Sequence, residues 1–234
     1  MIIILLLFTS CNAYFNNWFP IVTISSTDFT NPKQIRIFGK DFVVWKKNED
    51  IILQDDVCPH RCAPLSEGYI DNNSKNLRCA YHGWEFNENG KVQKIPQTQT
   101  LIHKNCNKKL KTYPTKIYGN LIWAYFGDDQ EECFETEVIK KYNLNKKQDF
   151  IVKDLPYDIE LLLENFFDPA HIPFAHHKLQ SIRDLASPVN IKCIYQNSSG
   201  LSFYFEDNTY LKQDNFRNGT MNFLVPNYYY LLSD

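Results

Sequence analysis

A chain of 234 residues with 44% hydrophobic and 15% aromatic side chains can fill one large globular core or two modest ones. Lysine and arginine number 25 against 27 aspartates and glutamates, a net charge of −2 with no long basic run, which argues against nucleic acid as a partner. Seven cysteines are too sparse here for a secreted disulfide scaffold, so Cys11, Cys62, Cys106, Cys133 and Cys193 read as small buried or half-buried residues in a reducing compartment.

Met1 to Phe8 is an apolar run far shorter than the ~18 residues of a membrane span. No cation precedes Lys33, as a secretory signal would require. Residues 1–16 are therefore either a truncated targeting segment or an arbitrary start. From Trp18 to Gly127 the text is short strands between turns. Gln34–Phe38 is followed by Gly39-Lys40-Asp41, then by the apolar Phe42–Trp45, a polar turn over Lys46–Asp50 and a new strand at Ile51–Leu53. Asn89-Gly90 separates Trp84–Phe86 from Val92, and Asn-Gly is a strong hairpin signal because both residues tolerate positive φ. Gly119-Asn120 plays the same part before Leu121–Phe126. So many short strands predict an all-β domain over 17–128. The polar stretch 129–149 reads as a linker. Tyr157–Asp168 predicts a helix with Pro156 near its start, and strand-like text returns past Pro188. The fold class expected is α+β.

Within the first region, Cys58-Pro59-His60 and Cys79-Ala80-Tyr81-His82 each supply one cysteine and one histidine, 18 residues apart. Two thiolates and two imidazoles suit a Rieske-type [2Fe–2S] cluster, in which histidine on one iron raises the potential to about −150 to +300 mV. The same four residues could hold a structural zinc, although zinc sites usually pair Cys-x₂₋₄-Cys with His-x₃₋₅-His. Pro59 stiffens one loop, and Gly83 lets the other turn sharply.

The wording Cys58-Pro-His-Arg-Cys-Ala-Pro-Leu-Ser-Glu-Gly68, Cys79-Ala-Tyr-His-Gly-Trp-Glu-Phe86 and Lys94-Ile-Pro-Gln97 resembles the Rieske domain of the pheophorbide a oxygenase family. That group includes chlorophyll-catabolic and protochlorophyllide-oxidising enzymes and a Rieske component of the plastid inner-envelope translocon. Cys62 departs from the family, where leucine is more usual. Tyr81 stands where respiratory Rieske proteins would place a disulfide partner, which favours an oxygenase-type centre.

Downstream, Glu160, Glu164, Asp168 and His171 recur at helical spacing and would line one face, either a solvent stripe or a reactive lining. His171 and His176 are five apart, about 140° on a regular helix. Pro169 and Pro173 forbid a regular helix, so a broken turn could bring both imidazoles together. Two histidines and a carboxylate with open positions make the facial triad of non-haem Fe(II) oxygenases. His177 adjoins His176 but diverges from it by about 100° and is set aside. The segment Glu164-x₃-Asp168-x₂-His171-x₄-His176 is similar to the mononuclear iron motif of Rieske oxygenases. The resemblance implies His171 and His176 as ligands and Asp168 as an electron-transfer bridge across a subunit boundary. It further implies a partial α/β helix-grip-like catalytic domain over 150–234, a ferredoxin or reductase as electron donor, dioxygen, a tetrapyrrole substrate, a homotrimer, and a plastid location with membrane association. The third ligand, an aspartate far downstream in the family, is not identified. Glu206, Asp207, Asp214 and Asp234 read as surface or turn residues, as does His103, and the chain reads as a fragment. Trp84, Trp123 and Tyr125 are expected in the core. Tyr228–Tyr230 is expected to pack in a strand, with an aromatic pocket lining as the alternative. A cluster-bearing electron-transfer or redox-sensing subunit without oxygenase chemistry, and a zinc-stabilised β domain, remain the competing readings.

Overall fold

The computed structural model describes residues 16–98, 107–127, 156–207, 217–225 and 228–233. Expectations for residues 1–15, for the linker 129–149, and for Cys11, Cys106, Cys133, His103, Asp214 and Asp234 lie outside the described residues. The chain divides into two compact units, the described parts of which are 16–127 and 156–233.

The first unit is built of three antiparallel sheets. Strands β1 (Asn17–Thr23), β11 (Leu121–Phe126) and β10 (Thr115–Tyr118) pair in that order. β11, Leu-Ile-Trp-Ala-Tyr-Phe, is buried on both faces as a central strand must be, with Trp123 and Tyr125 in the core. A second sheet runs β2 (Lys33–Ile37), β3 (Lys40–Lys47), β4 (Asp50–Asp55) and β9 (Thr112–Tyr113). Phe38 and Gly39, both at positive φ, form the two-residue turn between β2 and β3, the backbone twist that hairpins favour. The polar turn read at Lys46–Asp50 is shorter than expected. Lys47 pairs with Asp50, leaving only Asn48 and Glu49 as the loop, with Asn48 at φ 56°. The third sheet, β5 (Tyr69–Ile70), β6 (Leu77–Arg78), β7 (Glu85–Phe86) and β8 (Val92–Lys94), consists of very short strands and carries the second Cys/His loop between β6 and β7. One apolar cluster, including Val43, Trp45, Leu65, Leu77, Phe86 and Leu110, has Cys58 and Cys79 as members.

In the second unit, β12 (Asn190–Asn197), β13 (Gly200–Asp207), β14 (Arg217–Leu224) and β15 (Tyr228–Ser233) form an antiparallel meander. Leu201, Phe203 and Phe205 alternate onto one face, opposite Phe223 and Met221 on β14. Helix α1 (Ile159–Phe166) buries Leu163, and Phe167 just beyond it, against this face. The helix is shorter than Tyr157–Asp168. A residue before proline is pushed out of the helical region, and Asp168, at φ −110° and ψ 87° before Pro169, is found there. The four-residue polar stripe therefore does not exist as one face. Glu160 and Glu164 are on the exposed side of α1, while Asp168 and His171 lie past its end.

Candidate metal centres

The two Cys/His loops share one backbone pattern. The Cys58 amide donates to the Ala63 carbonyl at 2.8 Å, and the Cys62 amide returns to the Cys58 carbonyl at 2.8 Å. In the second loop Cys79 donates to Trp84, and Gly83 returns to Cys79, each at 2.9 Å. The fourth residue after each cysteine is left-handed, Cys62 at φ 56° and Gly83 at φ 70°. A Cβ on Gly83 would come within 3.0 Å of Pro96. Both cysteines are 1% exposed, and burial, with Cys79 alongside, pushes the Cys58 thiol up to about 11.

The His60 and His82 rings lie 4.6 Å apart, and the Nδ1 atom of each is buried without a hydrogen-bond partner. Buried polar atoms are almost always satisfied, so two orphaned ring nitrogens in the same loops as two buried cysteines fit a group bound by all four. Burial, then the neighbouring His82, Arg61 and Lys108, hold the His60 imidazole below the usual histidine range. Among the described residues no three His, Cys, Asp or Glu side chains converge as one metal ion would need. Donors split into a sulfur pair and a nitrogen pair fit a two-iron group better than the single tetrahedron of zinc.

Side chains that the Cys/His spacing did not reveal hold these loops. Trp84 is buried as expected, yet it also stacks flat on His60, with centroids 4.6 Å apart and planes at 9°. Asp56 is buried and accepts from the Ser66 amide at 2.7 Å and from its hydroxyl at 2.6 Å, fixing the far end of the first loop. Arg78, just before Cys79, meets Glu85 across the strand pair at 3.0 Å and Asp71 at 3.3 Å. Burial of Glu85 opposes its charge, but hydrogen bonds from Ser74, Asn76 and Arg78 prevail and lower its pKa. The opposite charges of Arg78 and Glu85 flanking Cys79 and His82 were the available signal. Cys62 and Cys193, expected to be at least half buried, are both exposed, Cys62 at the loop tip and Cys193 on β12, an edge strand.

In the second unit a 3₁₀ turn, Pro169–His171, runs directly into the one-turn helix α2, Ile172–Ala175. This break brings the His171 and His176 rings to 5.2 Å. Asp168 caps the turn, its Oδ1 accepting from the Ala170 amide at 2.9 Å, and its Oδ2 lies 3.9 Å from His171 Nδ1. His171 Nδ1 also contacts the Asp168 carbonyl, which can only accept. A proton therefore sits on Nδ1, the arrangement in which a carbonyl orients an imidazole whose Nε2 is turned to a metal. His177 has the opposite tautomer. Its Nδ1 accepts from the Arg183 amide at 3.2 Å, so its proton is on Nε2.

Both candidate ligands face a cavity of about 280 Å³. Asp168, Phe166, Ile172, Phe205, Met221 and Tyr229 are among its lining residues. Tyr229 combines the two roles considered for the tyrosine run. It packs on Phe166 with centroids 4.5 Å apart, donates from its hydroxyl to the Phe166 carbonyl at 3.3 Å, and borders the cavity. Among the described residues no third carboxylate joins the two histidines. Glu206 accepts from Asn190 at 3.1 Å on the face opposite Phe205. The geometry thus offers two imidazoles beside an apolar chamber, with one nearby carboxylate already engaged as a cap.

Residues 17–114 match the family described as Rieske [2Fe-2S] domain. Pheophorbide a oxygenase of Oryza sativa is 33% identical over 211 residues, covering 83% of this chain and 38% of its own length. Protochlorophyllide-dependent translocon component 52 of Arabidopsis thaliana is 33% identical over 177 residues, covering 71% of this chain and 32% of its own length. Residues 17–114 form a Rieske [2Fe–2S] domain, and the chain as a whole is similar to the pheophorbide a oxygenase-like proteins. The cofactors of this Rieske family are a [2Fe–2S] cluster and mononuclear non-haem iron, matching the two sets of donors found. The chain spans about a third of the length of these relatives. Dicamba monooxygenase shares the fold, with a TM-score of 0.64 at 17% identity over 94% of this chain and 67% of its own. Among the described residues no helix is long and apolar enough to cross a membrane.

Proposed function

We propose that this chain is the cluster-bearing and iron-binding part of a Rieske non-haem iron oxygenase acting on an organic substrate. The observation that carries the reading is the pair of orphaned Nδ1 atoms on His60 and His82 beside the buried Cys58 and Cys79. These four residues would hold the [2Fe–2S] group, and His171 and His176 would hold the iron. When bound, the cluster delivers single electrons and the iron activates dioxygen.

The protein's own part is positional. The matched loops set both thiols and both imidazoles before the group arrives, and Trp84 fixes the plane of His60. The Asp168 backbone fixes the His171 tautomer. In this reading, carried by the family resemblance, its half-exposed carboxylate accepts a hydrogen bond from a cluster histidine of a neighbouring protomer in a homotrimer. Phe166, Ile172, Phe205 and Met221 give the cavity an apolar wall that suits an organic substrate. A tetrapyrrole of the pheophorbide class and a chloroplast location are favoured by the names of these relatives, while a ferredoxin or reductase as donor and association with a membrane are what the family resemblance implies.

The test is iron and acid-labile sulfide analysis of protein purified without oxygen. Two irons and two sulfides per chain are expected from the first site; stoichiometric zinc without sulfide overturns the reading. A second reading, an electron-transfer component without oxygenase chemistry, is favoured by the similarity to a translocon component. A third iron per protomer in the full-length protein decides for the oxygenase, and its absence for the electron-transfer component.

A further inference from the structure

Lys108 follows Pro59 by 49 residues, yet its ammonium donates to the Pro59 carbonyl at 2.8 Å, between Cys58 and His60. The same nitrogen stands 5.7 Å from the centre of the Trp84 ring, and Trp84 lies flat on His60. Among the described residues no carboxylate pairs with Lys108. Between Glu88 and Asp128 the chain carries seven lysines and no acidic residue, so this charge is not cancelled locally in sequence either.

The fold brings Lys108 there through Leu110. That side chain is buried in the same cluster as both cysteines, and its amide donates to the Gly90 carbonyl at 2.9 Å. The approach is so close that a Cβ on Gly90 would sit 2.2 Å from the Leu110 carbonyl oxygen, and Gly90 is at φ 75°. Lys109, one residue along, alternates away from Leu110 and pairs in backbone register with Lys91.

We propose that Lys108 is a positioning residue for the redox group held at His60, raising its reduction potential by presenting a positive charge to the Pro59 carbonyl and the Trp84–His60 stack. The inference rests on the Rieske reading. Reduction moves one electron from a donor, a ferredoxin or a chemical reductant such as dithionite, onto the cluster, with no bond made or broken. The added negative charge is stabilised by a nearby cation, more so where side chains exclude water. A cation over an aromatic face and hydrogen-bonded to the ligand loop also holds that loop in one shape.

The experiment is a redox titration of the cluster-loaded protein, followed by electron paramagnetic resonance. Lys108→Met lowers the midpoint potential, Lys108→Arg keeps it near that of the parent protein, and Lys109→Met, the same charge loss one residue away, leaves it unchanged. Lys108→Gln keeps a donor for the Pro59 carbonyl without the charge; it also lowers the potential, and it carries the measurement if the methionine variant does not load. The lysine effect shrinks as salt is raised, because the ammonium is exposed. An unchanged potential in loaded Lys108→Gln, or an equal drop in Lys109→Met, overturns the proposal. A parent protein without acid-labile sulfide instead overturns the Rieske reading and leaves no potential to compare.

Discussion

The two candidate centres are built on opposite plans. At the first, the thiols are core residues, the loops repeat one hydrogen-bond pattern, and buried Asp56 and Glu85 hold the flanks. At the second, a helix gives way at Pro169, and short turns carry two half-buried histidines beside a cavity. In the first, hydrogen-bonded loops and core packing set the donor side chains. The second keeps accessible space next to its imidazoles, as a site must where a substrate and dioxygen both have to enter. Under the proposed function an electron store and a reactive chamber require different packing, and the candidate donors for each lie in separate units.

The comparison breaks most sharply in paired variants. His82→Ala is expected to abolish the visible and paramagnetic spectrum of the cluster, whereas His171→Ala removes mononuclear iron and turnover in the full-length protein while that spectrum survives. Loss of the cluster signal in His171→Ala would show that the centres are not independent. Next in size is the partly buried ion pair beside Cys79. Glu85→Ala leaves Arg78 with Asp71 alone and is expected to cost about 1.5–3 kcal/mol in denaturant unfolding of the first unit. Glu164→Ala, on the exposed face of α1, stays within about 0.5 kcal/mol.

Titration separates the centres more gently. The apo Cys58 thiol has a pKa near 11 against an ordinary value of 9.0. The folded apo protein therefore holds a proton that the unfolded chain releases first, and this contribution to stability is present below pH 9 and lost as pH rises toward 11. Melting temperatures of apo protein should fall across that window, and those of cluster-loaded protein should not show this component, since binding has already removed the proton. The smallest effect is expected at His177→Ala, whose occupied Nδ1 leaves no lone pair for iron. Iron affinity should change less than twofold, against a large loss for His176→Ala, read by metal titration.

What could be read beforehand was local. Cys58, His60, Cys79 and His82 announce themselves because ligand chemistry needs short loops, and Asn89-Gly90 and Gly119-Asn120 because tight turns need particular backbones. The approach of His171 to His176 was foreseen from Pro169 and Pro173, two local breakers. The continuous stripe from Glu160 to His171 failed because it assumed a helix through Asp168, although the following proline already disfavoured it. Lys108 and Asp56 were invisible, since their roles arise from contacts made by folding and not from spacing. Cys62 was misjudged because hydrophobic character was weighed over its place at the left-handed tip of a loop.

The membership of Cys58 and Cys79 in the apolar core reaches beyond redox chemistry. Without its inorganic group the first unit keeps two buried thiols and two unsatisfied nitrogens in its interior, and its native state is correspondingly easier to open. Opened states are what proteases remove, so a modest loss of stability becomes a several-fold loss of abundance. A cell short of iron or sulfide would then accumulate little of this protein in any form, and cofactor supply would be felt through turnover of the chain before it is felt through a failed reaction.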